Sequence, residues 1–158
     1  MDRLHPPLSH GVFKPVGHVV VALPTLQDRR AAELALNKLH LDASAITVYT
    51  AQDMLAQAAA DIERADSMAS MGQELNLVKE HQRLAQGGHH FLVVEVSDND
   101  QAHQVAAACM PHRASRAQHY GRFIIEELIV HGDGEPQVAE SPDRGLDPQV
   151  TSAAPGPR

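Results

Sequence analysis

Four segments of the chain carry the apolar pattern of β-strands. In chain order they are residues 17–23, 46–49, 90–96 and 114–120. The first is a nearly continuous β-branched run, as expected for a strand buried on both faces, and the second alternates apolar and polar positions. After Gly121, residues 122–130 continue as an extended segment, although Glu-Glu-Leu within them is also compatible with a helix.

Helical periodicity fills the connections between these strands. Thr25 begins the first helix, and a capping pattern at Thr50 begins a second that runs to about Ala65. Ser70 is placed to cap a further helix that ends at Gly87, so the long middle connection is predicted to be two helices with a hinge. A last helix follows the third strand and ends at Pro111.

The element order is therefore β-α-β-α(α)-β-α-β. A doubly wound parallel sheet is one alternative, but Pro24-Thr25-Leu26 stands where a glycine-rich phosphate turn is expected. Few strands, few helices and a mixed apolar pattern favour an α+β fold of the ferredoxin-like, split-βαβ sandwich kind. We expect a four- to five-stranded, mainly antiparallel sheet with helices on one face and an extra helix in the second crossover.

Composition divides the chain into three parts. Residues 1–16 hold three prolines without a regular period and are predicted to be a flexible N-terminal arm. Residues 17–131 are predicted to form a single α+β domain. Residues 132–158, rich in Gly, Pro, Asp and Ser, offer little to bury and are predicted to be a disordered C-terminal tail.

The two middle strands suggest an interaction surface. If one layer of helices covers the aliphatic side of the sheet, the other side is left open. An isologous dimer would remove that apolar surface from water. The candidate interface residues on this side are Thr47, Tyr49, Phe91, Val93 and Glu95.

A dense set of polar residues on the third predicted helix is the candidate polar site. Its members are Glu74, Asn76, Lys79 and His81. If another segment brings a titratable side chain close to these residues, they can act as an acid–base pair. If not, they are the solvated face of an amphipathic helix. Asn76 stands between two leucines and would need hydrogen-bond partners if buried.

Charge and composition argue against several classes of function. The formal net charge of −7 argues against general nucleic-acid binding. Nothing in the sequence matches a membrane span or signal peptide, so we expect a cytoplasmic protein. The single cysteine, Cys109, excludes an intrachain disulfide. The 11 histidines are scattered, and we predict no metal site, cofactor or catalytic residue from them.

The opening βαβ segment resembles that of small bacterial general-stress proteins. The resemblance is carried by Val-Val-Val-Ala-Leu-Pro-Thr at 19–25, Ala-Ala-Glu-Leu-Ala-Leu at 31–36 and Ile-Thr-Val-Tyr at 46–49. Residues 72–84 and 120–128 resemble uncharacterised bacterial proteins rather than an enzyme. The resemblance implies an α+β domain and no catalytic residue.

Three functional hypotheses follow. The first is a non-enzymatic, stress-associated or regulatory module that oligomerises through its sheet face. The second is a sensor that binds a small molecule or a metal ion, and the third is a small dimeric ferredoxin-like enzyme. Convergent polar side chains in a pocket would favour the second or third, and a flat apolar face the first.

Overall fold

The sheet at the centre of the structure is antiparallel at every pairing. The computed structural model describes residues 1–9, 12–66, 72–129 and 138–139. Its strands are β1 (Leu8–Ser9), β2 (Val12–Phe13), β3 (His18–Leu23), β4 (Ile46–Tyr49), β5 (His90–Glu95), β6 (Arg116–Tyr120), β7 (Ile125–Glu127) and β8 (Val138–Ala139). β1 and β2 pair with each other, and the main sheet has the order β4-β5-β3-β6-β7-β8. It is a five-stranded sheet that the two-residue β8 extends at one edge.

Four helices connect these strands in the described part of the chain. They are α1 (Leu26–Leu36), α2 (Ala51–Asp66), α3 (Gly72–Gln86) and α4 (Asn99–Cys109), with short 3-10 helices at Asn37–Leu39, Ala43–Ala45 and Met110–His112. The hydroxyl of Thr25 accepts from the Asp28 N–H at 3.0 Å and caps α1. Thr50 and Asp53 exchange two such bonds at 3.0 Å, so the capping box predicted at the start of α2 is confirmed.

The order of the four main strands gives the fold its class. α1 joins β3 to β4, and β5 lies between these two strands. α4 joins β5 to β6, and β3 lies between those two in the same way. Each βαβ unit is thus split by a strand of the other, which is the ferredoxin-like arrangement. The predicted α+β, ferredoxin-like fold is confirmed.

The helices cover both faces of the sheet, so the prediction of helices on one face is wrong. α1 and α4 pack on the side of Val19, Val21 and Val94. α2 and α3 pack on each other and on the opposite side, where Val20 and Phe91 lie. The two helices between β4 and β5 carry their own apolar stripes, and the remaining sheet face is where these can be buried.

This second layer removes the predicted open face. Tyr49, Phe91 and Val93 are 1%, 0% and 0% exposed beneath it. Thr47 is half-buried, and its hydroxyl donates to the Met1 carbonyl at 3.2 Å; Glu95 is exposed at the end of β5. The five residues therefore do not form an exposed interface, and the expectation that they do is wrong.

Two helices rather than one rod fill the long middle connection. α2 ends at Asp66, α3 begins at Gly72, and the two pack against each other. This confirms the predicted pair. The hinge proposed around Ser70 lies outside the described residues.

The N-terminal segment is part of the domain, so the prediction of a flexible arm over 1–16 is wrong for its described residues. Phe13 is 2% exposed in the core beneath α2 and α3. Its ring lies 5.9 Å from that of Tyr49, and its N–H donates to Asp61 Oδ2 at 3.0 Å. The buried Phe13 side chain thus packs the N-terminal segment against the domain, although the prolines of this segment predicted a flexible arm.

The C-terminal part of the sheet begins with a tight turn. The Gly121 N–H donates to the Ile124 carbonyl at 2.9 Å, and a Cβ at Gly121 would lie 2.9 Å from that same oxygen. Residues 125–127 are then a strand, which decides the helix-or-strand alternative for that part of 122–130. Within the predicted tail 132–158, Val138–Ala139 pairs with β7 as β8. The rest of the tail lies outside the described residues.

The burial of Phe13 predicts that the N-terminal segment stabilises the domain. Phe13→Ala should lower the free energy of unfolding by about 3–5 kcal/mol, because it leaves a cavity beneath α2 and α3. Phe123→Ala is the matched control, since the Phe123 side chain is 89% exposed and should contribute almost nothing. Urea denaturation followed by circular dichroism measures both. Equal midpoints for the two variants would contradict the docking of this segment.

Candidate functional site

A pocket of about 550 Å³ lies between the N-terminal segment and α2. Leu4, Pro6 and Leu8 form its outer wall, and Ala56 and Ala60 form its inner wall on α2. The two alanines stand four residues apart and therefore share one helix face. Their small side chains leave space that larger residues would fill. The lining of the pocket is mostly apolar.

Tyr49 also lines this pocket, and its hydroxyl is buried. It is the last residue of β4, and its side chain is 1% exposed. The hydroxyl oxygen is buried and has no hydrogen-bond partner among the described residues. Burial raises the pKa of Tyr49 to about 12. The hydroxyl is therefore protonated at neutral pH and is available as a donor.

Charged side chains form the polar rim of the pocket. Arg3 pairs with Asp53 at 2.7 Å, and Arg64 pairs with the buried Asp61 at 2.8 Å. Asp53 also accepts from the Thr50 N–H at 3.0 Å. Although burial acts in the opposite direction, these bonds from Thr50 and Arg3 hold the pKa of Asp53 below its ordinary value. The carboxylates of Asp53 and Asp61 thus already have donors.

Asp61 links the pocket to the core. Its carboxylate accepts from the Phe13 N–H at 3.0 Å, from the Gln57 amide at 2.9 Å and from Arg64 at 2.8 Å. Burial raises the pKa of Asp61, and the three donors offset part of that effect. Gln57 and Arg64 also line the pocket, so one buried carboxylate holds the N-terminal segment and two pocket residues in place.

The predicted polar site on α3 is not brought together. Asn76 and Lys79 are exposed, and the Glu74 side chain lies outside the described residues. His81 instead points into the core and is 2% exposed. The reason is helical spacing, because His81 lies three residues after the buried Val78 and belongs to its stripe.

His81 is the buried end of a polar network between α3 and the sheet. Its Nε2 donates to Gln118 Oε1 at 2.9 Å, and the Gln118 amide donates to Glu127 Oε1 at 3.4 Å. Arg116 donates from Nε to the same Glu127 oxygen at 3.1 Å and pairs with Glu80 at 3.1 Å. Burial lowers the pKa of His81 to about 4. The imidazole is neutral at pH 7.

A smaller cleft of about 310 Å³ lies on the opposite side of the sheet. Asp42, Ser97 and Gln101 are among its lining residues, together with Glu95 from the predicted interface. It is shallow and mostly polar, and no buried polar atom without a partner lines it within the described residues.

The histidines provide no metal centre in the part of the chain that the structure describes. There, no group of three or more His, Cys, Asp or Glu side chains is placed to hold an ion. The metal-binding form of the sensor hypothesis therefore gains no support from the geometry. Among the described helices, none is both long and apolar enough to cross a bilayer.

Comparisons of the chain with protein-family models, with curated proteins and with solved structures found no match. The resemblance to bacterial general-stress proteins stays a prediction, as do the association with stress and the homo-oligomeric state. Function is therefore inferred from the site itself.

The residues of this site differ in how strongly local sequence patterns indicate them. Asp61 is three residues after the buried Ala58, so it occupies a core position of α2 that its charge conceals. Arg3 belongs to a segment without any periodic pattern, and no local signal connects it with Asp53. Tyr49 was predicted for the correct sheet face, but as an exposed contact rather than a buried pocket wall.

The burial of neutral His81 predicts that stability falls in mild acid. Above pH 6.5 the imidazole is neutral in the folded and in the unfolded chain, so it does not make the free energy of unfolding depend on pH. Between pH 6.5 and about 4 the unfolded chain binds a proton that the folded protein does not, so unfolding becomes easier as pH falls. The full loss is on the order of 3 kcal/mol.

His81→Gln, which keeps an amide donor for Gln118, should reduce this dependence; the lowered pKa values of His89, His90 and His119 leave the remainder. His103→Gln, at an exposed histidine, is the control and should retain it. Urea denaturation at intervals between pH 4 and pH 8 measures the effect. The same slope in His81→Gln and in the parent would contradict a buried neutral imidazole.

Proposed function

We propose that the protein binds a small organic acid with an apolar body in the pocket beneath its N-terminal segment. Of the three hypotheses that the sequence raises, this one corresponds to the small-molecule sensor. The observation that carries it is Tyr49, which lines the pocket and whose buried hydroxyl has no hydrogen-bond partner among the described residues. Such a group costs stability unless something accepts its hydrogen bond.

The lining indicates the chemistry of the ligand. Leu4, Leu8 and Ala60 offer apolar contact for a hydrocarbon body. At the rim, the guanidinium group of Arg3 is a donor, and its side chain is partly exposed. A guanidinium has five N–H groups, so it can bind a second carboxylate beside the first. An acceptor head group of negative charge therefore suits the pocket better than a cation.

A medium-chain fatty acid tests this proposal. Octanoate should bind saturably and shift the amide NMR signals of α2 and the N-terminal segment. Octanol and octylammonium, which have the same hydrocarbon chain, should bind at least tenfold more weakly because they lack the anionic acceptor. Arg3→Ala should reduce the preference for octanoate, whereas Arg30→Ala, at an exposed position of α1, should not. Equal binding of all three compounds would contradict a carboxylate site.

Tyr49→Phe should have opposite effects on binding and on stability. Removing the hydroxyl should weaken octanoate binding about tenfold, the equivalent of one hydrogen bond. In the ligand-free protein it should raise the free energy of unfolding by about 1 kcal/mol, since a buried polar atom without a partner is removed.

Tyr120→Phe is the matched control, because Tyr120 is 1% exposed in the same core cluster but does not line the pocket. Calorimetric titration and urea denaturation measure the two effects. Unchanged octanoate affinity in Tyr49→Phe would place the ligand elsewhere.

A further inference from the structure

A serine and a histidine meet where α3 ends and β6 begins. Ser115 Oγ lies 2.8 Å from His89 Nε2, and His89 Nδ1 lies 3.1 Å from the Leu84 carbonyl oxygen. Because a carbonyl oxygen only accepts, Nδ1 carries the proton and Nε2 accepts from the Ser115 hydroxyl. Both residues are half-buried rather than enclosed in the core.

Backbone hydrogen bonds hold this pair in place. The His89 N–H donates to the Leu84 carbonyl at 3.0 Å, after a turn in which Gly88 has a φ of +93°. The Ser115 N–H donates to the Ala22 carbonyl of β3 at 2.8 Å. The serine is thus anchored to the central strand and the histidine to the end of α3, which keeps the side chains in register.

The surroundings keep the imidazole neutral. Burial lowers the pKa of His89, and the charges of Arg83 and His90 act in the same direction, against the hydrogen bond to Leu84. A neutral imidazole with a fixed tautomer can accept a proton at Nε2. This arrangement of a nucleophile, an adjacent base and a third group that orients the base is the one found in nucleophilic catalysis.

We propose that Ser115 and His89 form a nucleophile–base pair that hydrolyses small activated carboxylic esters. Ser115 Oγ bonds to the acyl carbon while its proton moves to His89 Nε2. The bond from the acyl carbon to the leaving oxygen breaks, and that oxygen takes the proton from Nε2. Water then attacks the acyl carbon as His89 accepts its proton. The bond from the acyl carbon to Ser115 Oγ then breaks, Oγ takes the proton back from His89 Nε2, and the carboxylic acid leaves. This activity does not depend on the pocket beneath the N-terminal segment.

The test uses p-nitrophenyl acetate for turnover and a fluorophosphonate for covalent labelling of the full chain. We expect one phosphonyl adduct per chain, located on Ser115 by peptide mass spectrometry, and the loss of adduct and turnover in Ser115→Ala. Ser97→Ala is the control, because the Ser97 hydroxyl donates to Gln101 rather than to a base. An adduct on another residue, or labelling and turnover that persist in Ser115→Ala, would overturn the proposal and leave a structural hydrogen bond only.

The base is tested separately. His89→Gln should slow labelling and turnover at least a hundredfold, within the range that general base catalysis supplies. His103→Gln should not slow them, although His103 Nδ1 donates to the Asn99 carbonyl at 2.8 Å in a similar way. The rate in the parent should rise with pH and should already reach its plateau at a pH lower than 6.5, because the pKa of His89 is lowered. Equal rates in the two histidine variants would overturn the role of His89.

Ser115→Cys keeps the test decisive if Ser115→Ala does not fold. His89 should then promote formation of the thiolate, so iodoacetamide should alkylate the introduced thiol rapidly at pH 6. In the double variant Ser115→Cys, His89→Gln this alkylation should be slow. The parent supplies the background, because Cys109 is buried and its thiol pKa is raised to about 12. Alkylation that is equally slow in the single and double variants would overturn the proposal.

Discussion

Burial of the strand β3 on both faces is the constraint on which the rest of the structure depends. All six of its residues are buried, and its side chains alternate between two separate apolar clusters. α1 and α4 cover one face, as in any split-βαβ sandwich. The other face carries Val20 and Ala22, which would be exposed unless a second layer covered them. α2 and α3 supply that layer from the connection between β4 and β5.

The second layer brings the unusual polar groups of this protein into the interior. Because α2 lies flat on the sheet, Asp61 is removed from water and must find donors, which it does in the backbone of the N-terminal segment and in Gln57. Because α3 lies beside it, His81 is buried against Gln118 in the same way. Asp61 and His81 each have a partner that is distant in sequence, Phe13 for the first and Gln118 for the second. The pocket is the space left where the small residues of α2 meet the N-terminal segment.

Local patterns predicted the elements well and their assembly less well. The strand at His18–Leu23, the cap at Thr25 and the capping box at Thr50 depend on neighbouring residues, and the structure confirms all three. Which face a helix covers depends instead on contacts far apart in the chain. Nothing near Tyr49 indicates that α2 lies over it, and nothing near Pro6 and Pro7 indicates that Phe13 is buried. The polar side chains of Asp61 and His81 concealed their core positions, because burial of such residues is rare without partners.

The pairing of β3 has a consequence for the order of events during synthesis. This apolar strand is synthesised well before its partners, since Val20 pairs with Val93 and with Gln118, both far downstream in the sequence. Its hydrogen bonds and both of its covering layers therefore form only after residues 90–120 have been made. A topology with such distant contacts folds slowly, and an aggregation-prone β-branched segment stays exposed until folding is complete.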